Sequence, residues 1–342
     1  MEPQTKRRRG SSDASDAWLA RPVLSDEQSR DVPLIEAFAA PIVDKKETSR
    51  LVRELSGLYP LGRLQHVKRV RAVAAPGGPH PLEVLLCPVG DAPGAEAPDI
   101  DALLPPDRVG RHGLGEPFVV RVPSRPPLTR AQFELVSRHW PTSFHEDKRV
   151  TGAMRGELFG PDQKARMQAY MTAALSAARA GGAAGMEAVG AVVVDPALER
   201  IVAAGHDCRR DHPLHHAVMV CIDLVARSQG GGCYSFDRHP ACTFSPTNQE
   251  QPGVAASSQP YLCTGYDLYV TREPCTMCAM ALVHSRIGRV FYGTASANGA
   301  LGTACKIHVL KDLNHRFEVY KGVLGRRCEE LRDGRTDPTA GV

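Results

Sequence analysis

Long hydrophobic runs are absent from this 342-residue sequence, since no apolar stretch approaches the ~18 residues that span a bilayer. The opening stretch, MEPQTKRRRG, also lacks the apolar core of a secretory signal peptide. Both absences argue against a membrane-spanning or secreted protein. We therefore expect a soluble intracellular protein with no membrane partner.

A disulfide framework and a large charge imbalance are absent as well. The ten cysteines are scattered along the chain, and in a reducing compartment most should be free thiols. The formal net charge of +4 is weak evidence for a nucleic-acid partner, so the placement of the basic residues matters more. With 42% hydrophobic and 23% charged residues, the composition is that of a globular protein long enough for two domains.

Changes in composition divide the chain into segments. The predicted segments are a disordered basic tail at 1–25, a first domain at 26–150, a linker at 151–160, and a second domain at 161–342 with a flexible, turn-rich insertion at 227–265. The tail contains the basic run Lys6 to Arg9, which is either a solvated stretch or a nuclear-import or RNA-contacting patch.

The first domain has the pattern of a small α+β fold, in the rough order β-α-β-β-β-α. That order predicts a ferredoxin-like arrangement with an extra or irregular segment. The domain carries two basic clusters as candidate RNA-binding residues: Lys45, Lys46, Arg50 and Arg53 on one helix, and Arg63, Lys68, Arg69 and Arg71 in the next segment. Basic side chains that share a surface can release counterions from a phosphate backbone. A solvated helix face balanced by Asp44, Glu47 and Glu54 explains the first cluster about as well, and the second less well.

Three residues of the second domain have the types and spacing of a zinc site. Cys275 and Cys278, in EPCTMC, are one helical turn apart, so both sulfur atoms project to the same side. His216 begins another predicted helix and supplies a nitrogen ligand. A lone Cys-x-x-Cys pair also fits a redox site, but here a proline precedes it and LYVTREPCTMCAMALVHSRIGRVFYG predicts a strand, a helix and a parallel strand. Three protein ligands leave a fourth tetrahedral position, which a water, a side chain or a chain terminus can fill.

Two other histidines, His212 and His215, stand close to His216 in the sequence. We do not predict them as ligands, because a loop histidine is usually solvated and only His216 is followed by the helical run.

Six stretches of the second domain carry a resemblance: VGAVVVD, HAVMV, EPCTMCAMALVHSRI, VFYG, GALGT and LNHRFEVYKGVL. In this order they resemble the tRNA adenosine deaminase family over residues 161 to about 325. The resemblance implies a cytidine-deaminase-like α/β fold, with a mixed sheet flanked by helices, and zinc ligands at His216, Cys275 and Cys278. Within the family, the chain looks like the non-catalytic subunit of the eukaryotic heterodimeric enzyme that converts wobble adenosine to inosine. The implied partners are tRNA and a catalytic homologue with an intact H-A-E motif.

Val218 stands two residues after His216, where zinc deaminases of this type have a glutamate. In active members zinc activates a water that attacks C6 of adenine, and this glutamate moves the protons. Valine can neither accept nor donate a proton, and general acid–base catalysis is typically worth roughly 10² to 10⁴ in rate. The nearest acid in the motif, Glu273, precedes Pro274 where the family also often has a glutamate, so we predict that it is not free for a second role.

The prediction is therefore a non-catalytic, zinc-binding subunit that binds tRNA and supports a catalytic partner, in the nucleus and the cytoplasm. Two alternatives remain open. One is an active nucleoside or base deaminase with an unorthodox proton shuttle, and the other is a zinc-stabilised RNA-binding scaffold unrelated to editing.

Overall fold

The computed structural model describes residues 17–73, 81–92, 103–246 and 261–334. The chain forms two compact units: a smaller one, Asp26–Thr151, and a larger one made of Met1–Ser25 and Gly152–Val342. Among the described residues, no helix is both long enough and apolar enough to cross a membrane.

The smaller unit contains a four-stranded sheet and short helices. Strand β1 (Arg21–Pro22) precedes it in the chain and belongs to the larger unit. The elements that follow are α1 (Asp26–Ser29), β2 (Leu34–Ile42), α2 (Thr48–Leu58), β3 (Val70–Ala72), β4 (Leu82–Pro88), β5 (Phe118–Pro123), α3 (Arg130–Val136) and α4 (Lys148–Arg155).

The strand order of this smaller sheet is β3-β4-β2-β5, and every neighbouring pair is antiparallel. Because β4 is antiparallel to both its neighbours, β2 and β3 run in the same direction and are joined by α2, which makes a split βαβ unit. This split βαβ unit agrees with the predicted ferredoxin-like arrangement. The position of the last helix does not agree, because α3 follows β5, whereas the second helix of a ferredoxin-like chain precedes the fourth strand. Residues 93–102, between β4 and β5, lie outside the described residues.

Both faces of the smaller sheet are covered by packed side chains. Successive residues of a strand point to opposite faces, so β2 contributes to a core on each side. Phe38 and Ile42 of β2 share a core with Leu51 of α2. Ala37, which points to the other face, shares a second core with the fully buried Trp140.

The larger unit is built on a seven-stranded mixed sheet. Its remaining elements are α5 (Pro161–Ala183), β6 (Gly190–Asp195), β7 (Arg200–His206), α6 (Ala217–Ser228), β8 (Thr243–Phe244), β9 (Asp267–Arg272), α7 (Thr276–His284), β10 (Arg289–Thr294), β11 (Glu318–Lys321) and α8 (Gly325–Arg332). The strand order is β1-β11-β10-β9-β6-β7-β8. Strands β9, β10 and β11 are parallel, and the other neighbours are antiparallel. The predicted parallel unit is therefore present as β9-α7-β10.

Helices cover both faces of the large sheet. On one face, Met171 of α5 shares a core with Val192. On the other, Leu224 of α6 and Leu282 of α7 share a core with Val193, the next residue of the same strand. The predicted mixed sheet flanked by helices is confirmed, and it places α6 and α7 on one side.

Segment boundaries differ from the predicted ones in three places. Residues 17–25 of the predicted tail include β1, which pairs with β11 at the edge of the sheet. The predicted linker, 151–160, contains the last turn of α4. The predicted insertion, 227–265, begins inside α6, and Phe236 and His239 within it are buried. These stretches are polar, so their composition does not predict ordered structure. Pairing at a sheet edge uses backbone groups, which every residue carries whatever its side chain. Residues 1–16 and 247–260 lie outside the described residues.

Candidate metal centre and its pocket

Two helix N-termini carry the three predicted ligands. His216 is the residue before α6 and Cys275 the residue before α7, and both have the extended backbone from which a helix begins. Cys278 lies one turn further along α7. The unpaired N–H groups at the start of α7 favour the thiolate forms of the two cysteines.

The ligand atoms of His216, Cys275 and Cys278 all lie within 4.8 Å of one another. The Nδ1 of His216 is 3.6 Å from the Sγ of Cys275. Around a tetrahedral zinc, with Zn–N of about 2.0–2.1 Å and Zn–S of about 2.3 Å, a nitrogen and a sulfur ligand stand about 3.6 Å apart. The residues present therefore fit a zinc ion.

The two thiols of this cluster differ in acidity. A hydrogen bond from Cys278, together with backbone N–H groups of the helix start and the nearby His216, lowers the pKa of Cys275 to about 5. The same hydrogen bond and burial raise the pKa of Cys278. The lowered pKa favours the thiolate form of Cys275, and binding of a metal to both sulfurs would release the thiol proton of Cys278.

His215 and His212 lie in an aromatic group and outside the metal-ligand clusters of the described residues. The ring centroid of His215 is 4.6 Å from that of His212 and 4.4 Å from that of Tyr234. This packing accounts for both histidines without a metal.

A pocket of about 340 Å³ opens beside the ligands. Val218 is 3% exposed and lines this pocket together with His216, Cys275 and Cys278. An apolar side chain therefore faces the space next to the three ligand residues.

Two carboxylates in the pocket wall are held by arginines. Glu187 forms ion pairs with Arg209 and Arg272. Asp207 accepts hydrogen bonds from the backbone N–H of Arg209 at 3.1 Å and from its Nε at 2.7 Å, and burial raises the pKa of this carboxyl. None of these four residues was predicted from the sequence. Asp207 follows β7 directly, and a charged residue just beyond a buried strand was the available signal.

Glu273, the third carboxylate of the pocket wall, organises a loop. It accepts hydrogen bonds from the backbone N–H groups of Ser296, Leu301 and Thr303 at 3.0–3.2 Å, and from the Thr303 hydroxyl at 2.5 Å. The stretch GALGT belongs to this loop. Both carboxylate oxygens are thus engaged, in agreement with the prediction that Glu273 is not free.

Three of the eight candidate RNA-binding side chains bond within the smaller unit. Arg50 pairs with two glutamates of its own segment, and Arg69 donates to three backbone carbonyl oxygens. Arg71 pairs with Glu83, and its guanidinium lies 4.2 Å from the ring centroid of Trp140. These contacts give all three arginines a structural role that the charge pattern did not reveal.

The other five candidates have exposed side chains: Lys45, Lys46, Arg53, Arg63 and Lys68. They are the part of the predicted set that can meet a phosphate backbone.

Comparison with known proteins identifies both halves of the chain. Residues 164–294 match the family described as the cytidine and deoxycytidylate deaminase zinc-binding region. Residues 35–140 match the N-terminal domain of tRNA-specific adenosine deaminase TAD3. A protein of Danio rerio named probable inactive tRNA-specific adenosine deaminase-like protein 3 is 57% identical over 97% of this chain and 99% of its own length. The chain belongs to the TAD3 family.

Two further relatives agree with the assignment of the chain to the TAD3 family. The Homo sapiens protein of the same name is 56% identical, with 92% of each chain covered. The tRNA-specific adenosine deaminase subunit tad3 of Schizosaccharomyces pombe is 28% identical over 76% of this chain and 74% of its own length. The predicted family and the cytidine-deaminase-like fold class are confirmed.

We expect replacement of Glu273 by glutamine to lower the free energy of unfolding by about 1–3 kcal/mol, because the new NH₂ group faces N–H donors in a closed site. Urea-induced unfolding of the full-length chain measures this change. The matched control is Glu199→Gln, which alters an ion pair at the surface and should change stability by less than about 1 kcal/mol. Equal stability of both variants would contradict the structural role of Glu273.

Proposed function

We propose that this chain is the non-catalytic, zinc-binding subunit of a heterodimeric tRNA adenosine deaminase that converts wobble adenosine to inosine. A catalytic homologue with an intact H-A-E motif performs the chemistry, and this chain supports that partner and contributes to tRNA binding. Relatives named as tRNA-specific adenosine deaminases support tRNA adenosine as the substrate. The Schizosaccharomyces pombe relative is named as a subunit, which supports a heterodimer.

The observation that carries the proposal is Val218 in the wall of the pocket, beside an intact set of ligand residues. A zinc ion held by His216, Cys275 and Cys278 would supply the Lewis acid that activates water in this fold. The chain's own residues lack the proton carrier, because valine has no titratable group. Of the pocket carboxylates, Glu187 and Glu273 are bound by arginines or by loop donors.

One observation favours the second candidate, an active deaminase with an unorthodox shuttle. Asp207 lies in the pocket wall, and burial raises the pKa of its carboxyl. Its hydrogen bonds from Arg209 argue against that role, because they stabilise the charged form.

We expect the purified chain alone to form no inosine on tRNA, and the chain combined with its catalytic homologue to form it readily. The readout is inosine at the wobble position after incubation with substrate tRNA. In the complex, Val218→Ala should leave the rate unchanged, whereas loss of the partner's H-A-E glutamate should abolish activity. Robust activity of the isolated chain would overturn the proposal, and its loss in Asp207→Asn would favour the second candidate.

The tRNA contribution is assigned to the exposed basic residues of the smaller unit. Each lysine or arginine that neutralises a phosphate releases counterions, so its removal weakens binding at every sequence and flattens the salt dependence. Arg50, Arg69 and Arg71 are left out of this set because their side chains hold the fold.

We expect the variant Lys45→Ala/Lys46→Ala/Arg53→Ala to weaken tRNA binding by the complex at least several-fold and to reduce the slope of log affinity against log salt. Fluorescence anisotropy with labelled tRNA at several salt concentrations measures both. Lys148→Ala, an exposed lysine outside the predicted clusters, is the control and should bind like the unaltered protein. An unchanged slope in the triple variant would contradict the assignment.

Localisation in both nucleus and cytoplasm is likewise proposed, from the basic run Lys6 to Arg9, which lies outside the described residues. Alanine substitution of this run should lower the nuclear fraction of a fluorescently tagged chain. An unaltered distribution would assign the run to a solvated tail.

A further inference from the structure

A second group of histidine and cysteine side chains lies apart from the first metal centre. His206 ends β7 and Cys208 follows it, while His239 and Cys242 lie in the segment between α6 and β8. These four residues are called the second cluster below. None of them lines the pocket that contains His216, Cys275 and Cys278.

The second cluster has the dimensions of a metal site. The ligand atoms of His206, Cys208 and His239 lie within 4.8 Å of one another, and all three residues are at least nine-tenths buried. The Nδ1 of His206 is 3.6 Å from the Sγ of Cys208, so these two side chains lie in contact.

Cys242 lies beside this group of three and offers a second sulfur. Its thiol interacts with the Cys208 thiol and with the His206 side chain, and each interaction raises the pKa of the group that Cys242 meets. The donor set is thus two nitrogens and two sulfurs, arranged in the sequence as His-x-Cys and His-x-x-Cys. Four-coordinate sets of this composition are typical of structural zinc sites.

The histidine rings are oriented by neighbours outside the cluster. The Nε2 of His239 is 2.6 Å from a carboxylate oxygen of Asp211, which leaves Nδ1 for a metal. Metal-bound histidines usually donate their other ring N–H to such a carboxylate. The ring of His206 is held as well, since its Nδ1–H donates to the carbonyl oxygen of Asp207 at 2.8 Å, which leaves Nε2 for a metal.

We propose that His206, Cys208, His239 and Cys242 bind a structural zinc ion, distinct from the one at His216, Cys275 and Cys278. The ion joins the segment after α6 to the end of β7. Sulfur and imidazole ligands exclude calcium and magnesium, which bind oxygen. With four protein ligands, this second site keeps no open position for a substrate and acts by fastening the chain.

The proposal is tested by the zinc content of the full-length chain purified under reducing conditions. We expect about two zinc ions per chain, and about one in Cys208→Ser/Cys242→Ser and in Cys275→Ser/Cys278→Ser alike. Cys233→Ser/Cys305→Ser, which alters two exposed cysteines, is the matched control and should keep both ions. Elemental analysis by mass spectrometry gives the ratio, and circular dichroism reports whether each variant is folded.

If a variant fails to fold, a measurement on the unaltered chain still tests the proposal. Anomalous diffraction at the zinc edge should place a second peak between the four side chains of the second cluster. A chain with only one zinc ion, lost in Cys275→Ser/Cys278→Ser, would overturn the proposal. A disulfide between Cys208 and Cys242 in the protein purified without reductant and without metal chelators would overturn it too.

Discussion

The metal centre depends on one constraint: the N-termini of two helices of the larger unit, α6 and α7, lie side by side. His216 and Cys275 stand directly before α6 and α7, so both helices direct their unpaired N–H groups toward the ligands. Two positive helix ends repel each other unless negative charge lies between them. The thiolate of Cys275, whose pKa falls to about 5, supplies that charge. The site therefore stabilises the packing that creates it.

Local spacing was enough to predict that Cys275 and Cys278 lie close together, because they stand one turn apart at the start of one helix. The parallel unit β9-α7-β10 was predictable for the same reason. The charged wall of the pocket was not, since Glu187 meets its arginine partners only after the strands have assembled. Similarly, Arg69 looked like a phosphate ligand, yet it bonds to carbonyl oxygens of a neighbouring strand and a preceding turn that the sequence pattern does not specify.

Keeping the ligands while losing the catalytic glutamate is physically consistent, because the two have different roles. A metal ion bound by His216, Cys275 and Cys278 would hold α6 against α7, whereas a glutamate at position 218 would only move protons. That position is 3% exposed, and a buried carboxylate without a partner is costly. Valine removes that cost and adds apolar contact to the core that α6 shares with α7. Valine at position 218 therefore favours the packing of this core.

The loop between β7 and α6 links the two clusters of metal-binding residues. It is closed by a hydrogen bond of 2.8 Å from the backbone N–H of Cys208 to the carbonyl oxygen of His215. Cys208 belongs to the second cluster, and His216 is the next residue after the closure. With a metal ion at each cluster, the loop is fastened at both ends, and because ligation is coupled to folding, each ion favours the loop conformation that the other requires. A chain that lacks the proton carrier would then use its metals to keep α6 and the pocket wall in a fixed position.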